Sequence, residues 1–315
     1  MESLLTVFYK FLPVLLMILL GALIRRIKLL GPSTIQELKT IIVNISLPSI
    51  LLLTFAETDF EPRYLLIFLS VFLACLIMLF LGKGFSGRLC PGNPYYCSVF
   101  TGYENGMLGY ALFTAFFGSE NAYKLAIFDI GQVVFVFFVL VNYLRRQNGT
   151  NATARQVVLG FLKSPIILAI IAGIVISTAG LAGRIRDYQI TGSIVNLLTL
   201  LGNLTVPLIC MILGYELRIS LDNFLKPVLT VLLRMALMLA LAYVINEFLV
   251  IRLLRLDSGF TVALYTMFLL PPPFVIPIFI DQKAEKEKND ILNVISIHII
   301  MTLAAFPVLI SITSQ

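Results

Sequence analysis

Four ionisable side chains fall inside long apolar stretches of the chain: Glu104, Asp129, Arg234 and His298. An ionised group at the centre of a bilayer costs on the order of 2.5–3.5 kcal/mol on insertion scales, so each needs a partner, water or a task. Glu104 stands beside Asn105, Gly106 and Gly109, in a glycine-rich interruption running from Gly102 to Gly109. A carboxyl there can admit or repel an anion according to its own charge, or it can end in a salt bridge or a wet vestibule near a helix end. Pro271, Pro272 and Pro273 interrupt another apolar stretch. Proline lacks the N–H that a helix needs and clashes with the preceding turn, so three in succession cannot continue one. The chain is expected to open there, and the freed N–H groups of the next helical segment favour an anion. Irregular backbone at that depth is tolerated only where protein or a water-filled cavity surrounds it. The expected solute site is therefore Glu104, Asn105, Gly106, Gly109, Pro271, Pro272 and Pro273.

A coupling or polar network is expected around it. Asp129, close to Gly131 and Gln132, either takes part in proton coupling or caps the neighbouring broken helix. His298 titrates near neutral pH and suits a proton relay, or it is a packing residue. Arg234 could attract an anion, but at roughly two turns from the end of its block it is expected to snorkel to the interface. Asn44 and Asn203 are expected to hold interhelical hydrogen bonds beside proline kinks, or to order a cation. Enzyme chemistry is not expected. The chain has no phosphate-cradling loop and no nucleophile with a second histidine to activate it. Its four cysteines, Cys75, Cys90, Cys97 and Cys210, form no CxxC pair, which leaves no metal centre, disulfide framework or cofactor to expect beyond coupling to H+ or Na+.

The elements that must carry these residues are membrane spans. Of 315 residues, 59% are hydrophobic and 13% charged, against about 45–50% and about 25% in an ordinary soluble domain. The excess arrives in blocks of about 20 residues, the length that crosses a bilayer core. Ten spans are expected, at 3–24, 33–56, 64–82, 95–117, 121–144, 163–180, 190–214, 224–250, 258–280 and 290–312. The first is read as a retained span, because it lacks a basic leader and a clear cleavage site. No separate soluble domain fits between them. The 23 Lys and Arg are scattered between the blocks with no aromatic-lined stripe, which argues against a nucleic-acid partner. Fifteen of the 23 fall in loops on one side and seven on the other, with Arg234 inside a span. The positive-inside rule then places a multi-pass protein in the cell membrane with both termini outside the cytoplasm. Asn148-Gly-Thr and Asn151-Ala-Thr fall in a cytoplasmic loop and should carry no sugar.

Asn44-Ile-Ser-Leu-Pro48 in the second span returns as Asn203-Leu-Thr-Val-Pro207 in the seventh, about half the chain further on. The glycine interruption and the triple proline both fall in the fourth span of their halves. Five is odd, so two similar five-span units must face opposite ways, an inverted repeat. The units are residues 1–147 and 161–315, joined by a flexible cytoplasmic linker at 148–160.

With these motifs in place the chain resembles the auxin efflux carrier family, within the superfamily that includes bile-acid, arsenite and riboflavin transporters. The likeness covers most of the chain and rests on Leu47-Pro48-Ser49, Gly106-Met-Leu-Gly109 with Phe117-Gly118, Asp129-Ile-Gly131 and Pro271-Pro272. It implies an all-α integral membrane fold of ten helices in a 5+5 inverted repeat, with broken helices 4 and 9 crossing at an organic-anion site. It also implies a scaffold of helices 1, 2, 6 and 7, open to homodimer formation, and a transport domain of helices 3, 4, 5, 8, 9 and 10. The implied activity is alternating-access movement of a small carboxylate such as malate, malonate or an auxin-like acid. The chain departs from the family's N-x-G-x-x-G-x-P pattern: Glu104 takes the Asn position and Ala111 the Pro position. Those departures keep open a transporter-fold sensor that binds a ligand, such as a sterol or other lipid, without turnover. A channel is disfavoured because no filter-like repeat is visible.

Overall fold

The computed structural model describes residues 4–58, 61–149, 154–181, 189–216, 225–281 and 284–313. Every regular element among them is helical, with no strand among the described residues. In chain order they are α1 (Leu4–Arg26), α2 (Pro32–Ala56), α3 (Tyr64–Leu89), α4 (Tyr110–Phe117), α5 (Ser119–Gln147), α6 (Ala154–Leu162), α7 (Pro165–Thr178), α8 (Ile190–Glu216), α9 (Leu225–Leu253), α10 (Ser258–Leu269) and α11 (Glu285–Thr313). Among the described residues six of these, α2, α3, α5, α8, α9 and α11, are long and apolar enough to cross a membrane. This is the make-up of an all-α, multi-pass membrane protein.

Two helix ends extend beyond the expected spans into charged sequence. α3 continues past Lys83 to Leu89, since long basic side chains reach water without breaking a helix. α11 begins at Glu285, inside the charged run, with Glu285 and Glu287 in its first turn, where acidic groups suit the positive helix end. The expected flexible linker also needs correcting: α6 occupies much of it. The side chain of Asn148 is structural as well. Its Oδ1 accepts from Tyr95 Oη–H at 2.5 Å and its Nδ2 donates to Phe279 O at 2.6 Å. The Asn151 sequon lies outside the described residues.

The two N-x-[ST]-x-P motifs distort their helices differently. Pro48 cannot donate to the Asn44 carbonyl, and the turn before it widens into a π-helix at Ile42–Ser46, with Leu47 N–H reaching back to Ile42 O. Ahead of Pro207 the helix is interrupted by a turn at Leu204.

Glycines set which helices touch, because lipid offers no hydrophobic drive and close backbone packing must hold them together. A Cβ on Gly21 of α1 would overlap the Met211 backbone of α8, and one on Gly214 of α8 would overlap the Ile18 carbonyl of α1. On Gly173 of α7 it would stand 2.6 Å from Phe55 Cβ of α2. Gly131 of α5 lies as tightly on the Phe68 carbonyl of α3. One packed group thus comprises α1, α2, α7 and α8, and another α3, α5, α9, α10 and α11. α1 also meets α11, and α8 meets α4.

Candidate functional site: two interrupted helices stitched together

A short 3-10 helix at Tyr96–Phe100 ends in non-helical backbone at 101–104, and helical structure resumes as a π-turn at Asn105–Gly109 leading into α4. On the other side α10 stops at Leu269, the three prolines run on without helical structure, and a 3-10 turn follows at Ile276–Phe279. The two gaps are bonded to each other. Glu104 N–H donates to Pro271 O at 2.8 Å, and Phe274 N–H donates to Glu104 Oε2 at 2.5 Å. Gly102 has φ +68°, and a Cβ on it would sit 2.6 Å from Pro273 Cγ. A Cβ on Gly109 would sit 2.6 Å from Leu270 Cδ1 and collide with Asn105 Oδ1. Gly106 is different: its nearest neighbours would be Leu47 Cδ2 at 3.8 Å and Glu104 Oε1 at 3.9 Å, so there is room beside it. The structure therefore gathers Glu104, Asn105, Gly106, Gly109 and Pro271–Pro273 at one place.

The missing proline donors explain what surrounds them. In an unbroken helix Pro271, Pro272 and Pro273 would serve the carbonyls of Met267, Phe268 and Leu269. Leu270 N–H turns back to Met267 O at 3.2 Å, and Thr302 Oγ1 of α11 donates to Leu269 O at 2.9 Å. The Leu270 carbonyl would take the Phe274 N–H, but Glu104 holds that donor. Arg234 Nη1 serves Leu270 O instead, at 2.7 Å, while its Nη2 donates to Gly102 O at 2.5 Å in the other gap.

Arg234 thus contradicts the snorkelling expectation: it is 0% exposed and spans both interruptions. Two carbonyls and the Tyr103 ring, 6.0 Å from its guanidinium carbon, take the place of water around it, while its Nε is buried without a partner among the described residues. Its Nη1 also lies 3.3 Å from His298 Nδ1. Arginine can only donate, so Nδ1 is the acceptor and the imidazole proton sits on Nε2, which is buried without a partner among the described residues.

Asp129 supports the crossing from the first half of the chain. Its Oδ1 accepts from Gln132 Nε2 at 3.2 Å and its Oδ2 from Tyr110 Oη–H at 3.3 Å, with the Asn105 side chain close by. Gln132 Oε1 in turn accepts the Tyr103 N–H, and Thr101 Oγ1 donates to Cys75 O at 2.6 Å. Asp129 is therefore placed to hold the gap in shape through Gln132.

Asn44 and Asn203 need correction. Both are exposed, and Asn44 Nδ2 donates to Thr40 O of its own helix at 2.8 Å instead of bridging helices. The inward residues of the two repeat motifs are Ser46 and Thr205, 0% and 1% exposed, with hydroxyls lacking a partner among the described residues. They were missed although the [ST] position of the pattern contains them. Residues 205–216 pack against both Ile42–Ser46 and Asn105–Gly109, which puts Thr205 on the element shared by the motif of the first half and the crossing.

A cleft of about 1060 Å³ opens among Cys90, Asn93, Tyr96, Glu216, Lys226, Asp290 and Ser296, on the side of the more basic loops. Two smaller ones lie by the opposite loops, one of about 550 Å³ lined by Glu61, Arg63, Tyr123 and Asp257 and one of about 230 Å³ lined by Thr54, Ser119 and Asn203, with Glu57 and Glu120 on both. No family model matches the chain, and no curated protein matches its sequence.

Proposed function

We propose that the chain is a secondary carrier of the auxin efflux carrier type, moving a small organic anion across the membrane by alternating access. The observation that carries this reading is the pair of interrupted helices bonded gap to gap, at Glu104–Pro271 and through Arg234. Helices broken at depth are expensive unless the ends serve a purpose, and in carriers built from inverted repeats that purpose is to hold a solute near the midplane.

The anion's place is the N-terminal end of the Asn105–Gly109 turn, beside Gly106, where backbone N–H groups and the helix dipole favour negative charge. The Phe274 N–H, its counterpart past the other gap, is taken by Glu104. The carboxylate of Glu104 therefore stands next to the anion and sets, by its own charge, whether a second negative group is admitted. The hydroxyls of Ser46 and Thr205, without a partner among the described residues, are neutral donors on the facing helices. The two packed groups supply the bodies that move against each other. The group with α1, α2, α7 and α8 is the scaffold, and the group with α3, α5, α9, α10 and α11 carries the crossing. In this reading the basic-loop side faces the cytoplasm by the positive-inside rule, with both termini outside and ten spans in inverted five-span units. Carboxylates such as malate, malonate or an auxin-like acid are the substrate class.

Proteoliposome flux tests the reading: saturable uptake or counterflow of a carboxylate is expected. One feature favours a second reading, a ligand sensor in a carrier fold. Glu104 already occupies an N–H that an external anion would use. Tight binding of a ligand with no flux of any candidate anion would select the sensor.

A further inference from the structure

We propose that Arg234 is a built-in cation at the crossing, its guanidinium standing where a bound alkali ion would otherwise neutralise the facing carbonyl ends. The protein then needs neither Na+ nor K+ to hold the crossing together. The carbonyl end of a helical segment carries partial negative charge. Two such ends converge here: the 3-10 segment Tyr96–Phe100 ends two residues before Gly102, and α10 ends one residue before Leu270. Both carbonyls point at one buried group, with Nη2–Gly102 O at 2.5 Å and Nη1–Leu270 O at 2.7 Å. Neutral oxygens converging from unwound backbone are the ligand set an alkali cation takes in broken-helix carriers.

The rest of the environment is that of an ion site instead of a salt bridge. A buried charge is strongly destabilising unless it is paired and hydrogen-bonded, yet no carboxylate among the described residues pairs with Arg234. Glu104 binds Phe274 N–H, and Asp129 binds Tyr110 and Gln132. The third ligand is the neutral His298 Nδ1 at 3.3 Å, and the Tyr103 ring gives a π face. Helix-end dipoles, an imidazole, a ring and the nearby Cys75 thiol surround Arg234 among the described residues, and its Nε is left without a partner there. A tethered guanidinium that fills this cage leaves no place for a free cation. For a carrier, the reading on which this part rests, Na+ is then removed as coupling ion.

The test begins with purified wild-type protein unfolded thermally in sodium, potassium and choline chloride of equal ionic strength. Equal Tm in all three is expected, and a sodium- or potassium-specific rise overturns the proposal. Arg234→Ala should lose about 5–10 °C in Tm and recover part of it with millimolar methylguanidinium, or with Na+ relative to choline. An unchanged Tm, or a loss that no cation relieves, overturns it. Should the alanine variant fail to fold, Arg234→Lys takes its place: it keeps the charge but not the two-carbonyl reach, so a folded protein of reduced but cation-independent Tm is expected, and a lysine variant that also fails to fold, or whose Tm rises specifically with Na+ or K+, overturns the proposal. Flux is the separate arm. Sodium-stimulated flux overturns the coupling claim, whereas absence of flux for every anion defeats the carrier reading and leaves the Tm result to judge Arg234.

Discussion

Gly102→Ala is the sharpest probe of the crossing, with Gly106→Ala as its control. Gly102 has φ +68°, a left-handed conformation that costs an L residue roughly 1–2 kcal/mol. Its new Cβ would lie 2.6 Å from Pro273 Cγ and 3.1 Å from Pro273 Cδ. A pyrrolidine ring on the unwound segment cannot swing aside as a flexible chain end would, and overpacking of this kind adds about 1–3 kcal/mol. Together the change should cost about 2–5 kcal/mol, a fall of roughly 4–10 °C in Tm at about 2 °C per kcal/mol. The methyl of Gly106→Ala meets nothing closer than 3.8 Å, so its Tm should stay within about 1 °C of wild type. Because that methyl enters the space assigned to the anion, apparent affinity should weaken all the same. Differential scanning fluorimetry of the detergent-purified proteins, followed by proteoliposome flux, reads both effects. Wild-type stability in Gly102→Ala, or equal losses in the two variants, would refute the gap-to-gap packing as the source of the site's shape.

The remaining predictions use other contacts of the crossing. Glu104→Gln keeps an acceptor for Phe274 N–H but removes the charge, so Tm should change by less than about 3 °C while the pH dependence of flux is altered; an unaltered pH profile argues against Glu104 as the gate. Pro272→Ala should insert normally yet slow transport, and normal kinetics in both variants would tell against the site. Thr302→Val strips the Leu269 carbonyl of its donor and should cost about 1–3 kcal/mol, measured by chemical denaturation; a neutral result implies that another donor serves that carbonyl. Asn148→Ala removes two hydrogen bonds between the ends of the broken elements and should cost about 1–3 kcal/mol. Its protection in hydrogen exchange should fall at Tyr95–Phe100 and Ile276–Phe279, and unchanged exchange there would contradict the tie.

Much of this was legible along the chain because it is local chemistry. Three adjacent prolines delete three helix donors wherever they are placed, so the end of α10 follows from covalent structure. A run of glycines next to Glu104 marks a second weak point by the same logic, and blocks of apolar residues dictate membrane spans. What could not be read is which way each helix faces. A span that is apolar all round has no periodicity to mark its inner side, so rotation is decided by packing alone. That is why Asn44 and Asn203 turn outward while Ser46 and Thr205, two residues further on, turn inward. Gly21, Gly173 and Gly214 set those rotations through backbone contacts with partners distant in sequence. The place of Arg234 depends on the same tertiary facts: charge and position along α9 point to the interface, and only the meeting of two carbonyl ends from opposite halves makes burial the better state. A sequence states which hydrogen bonds a broken helix must lack; the assembled structure decides who replaces them, because the replacements come from residues 36 and 132 positions away.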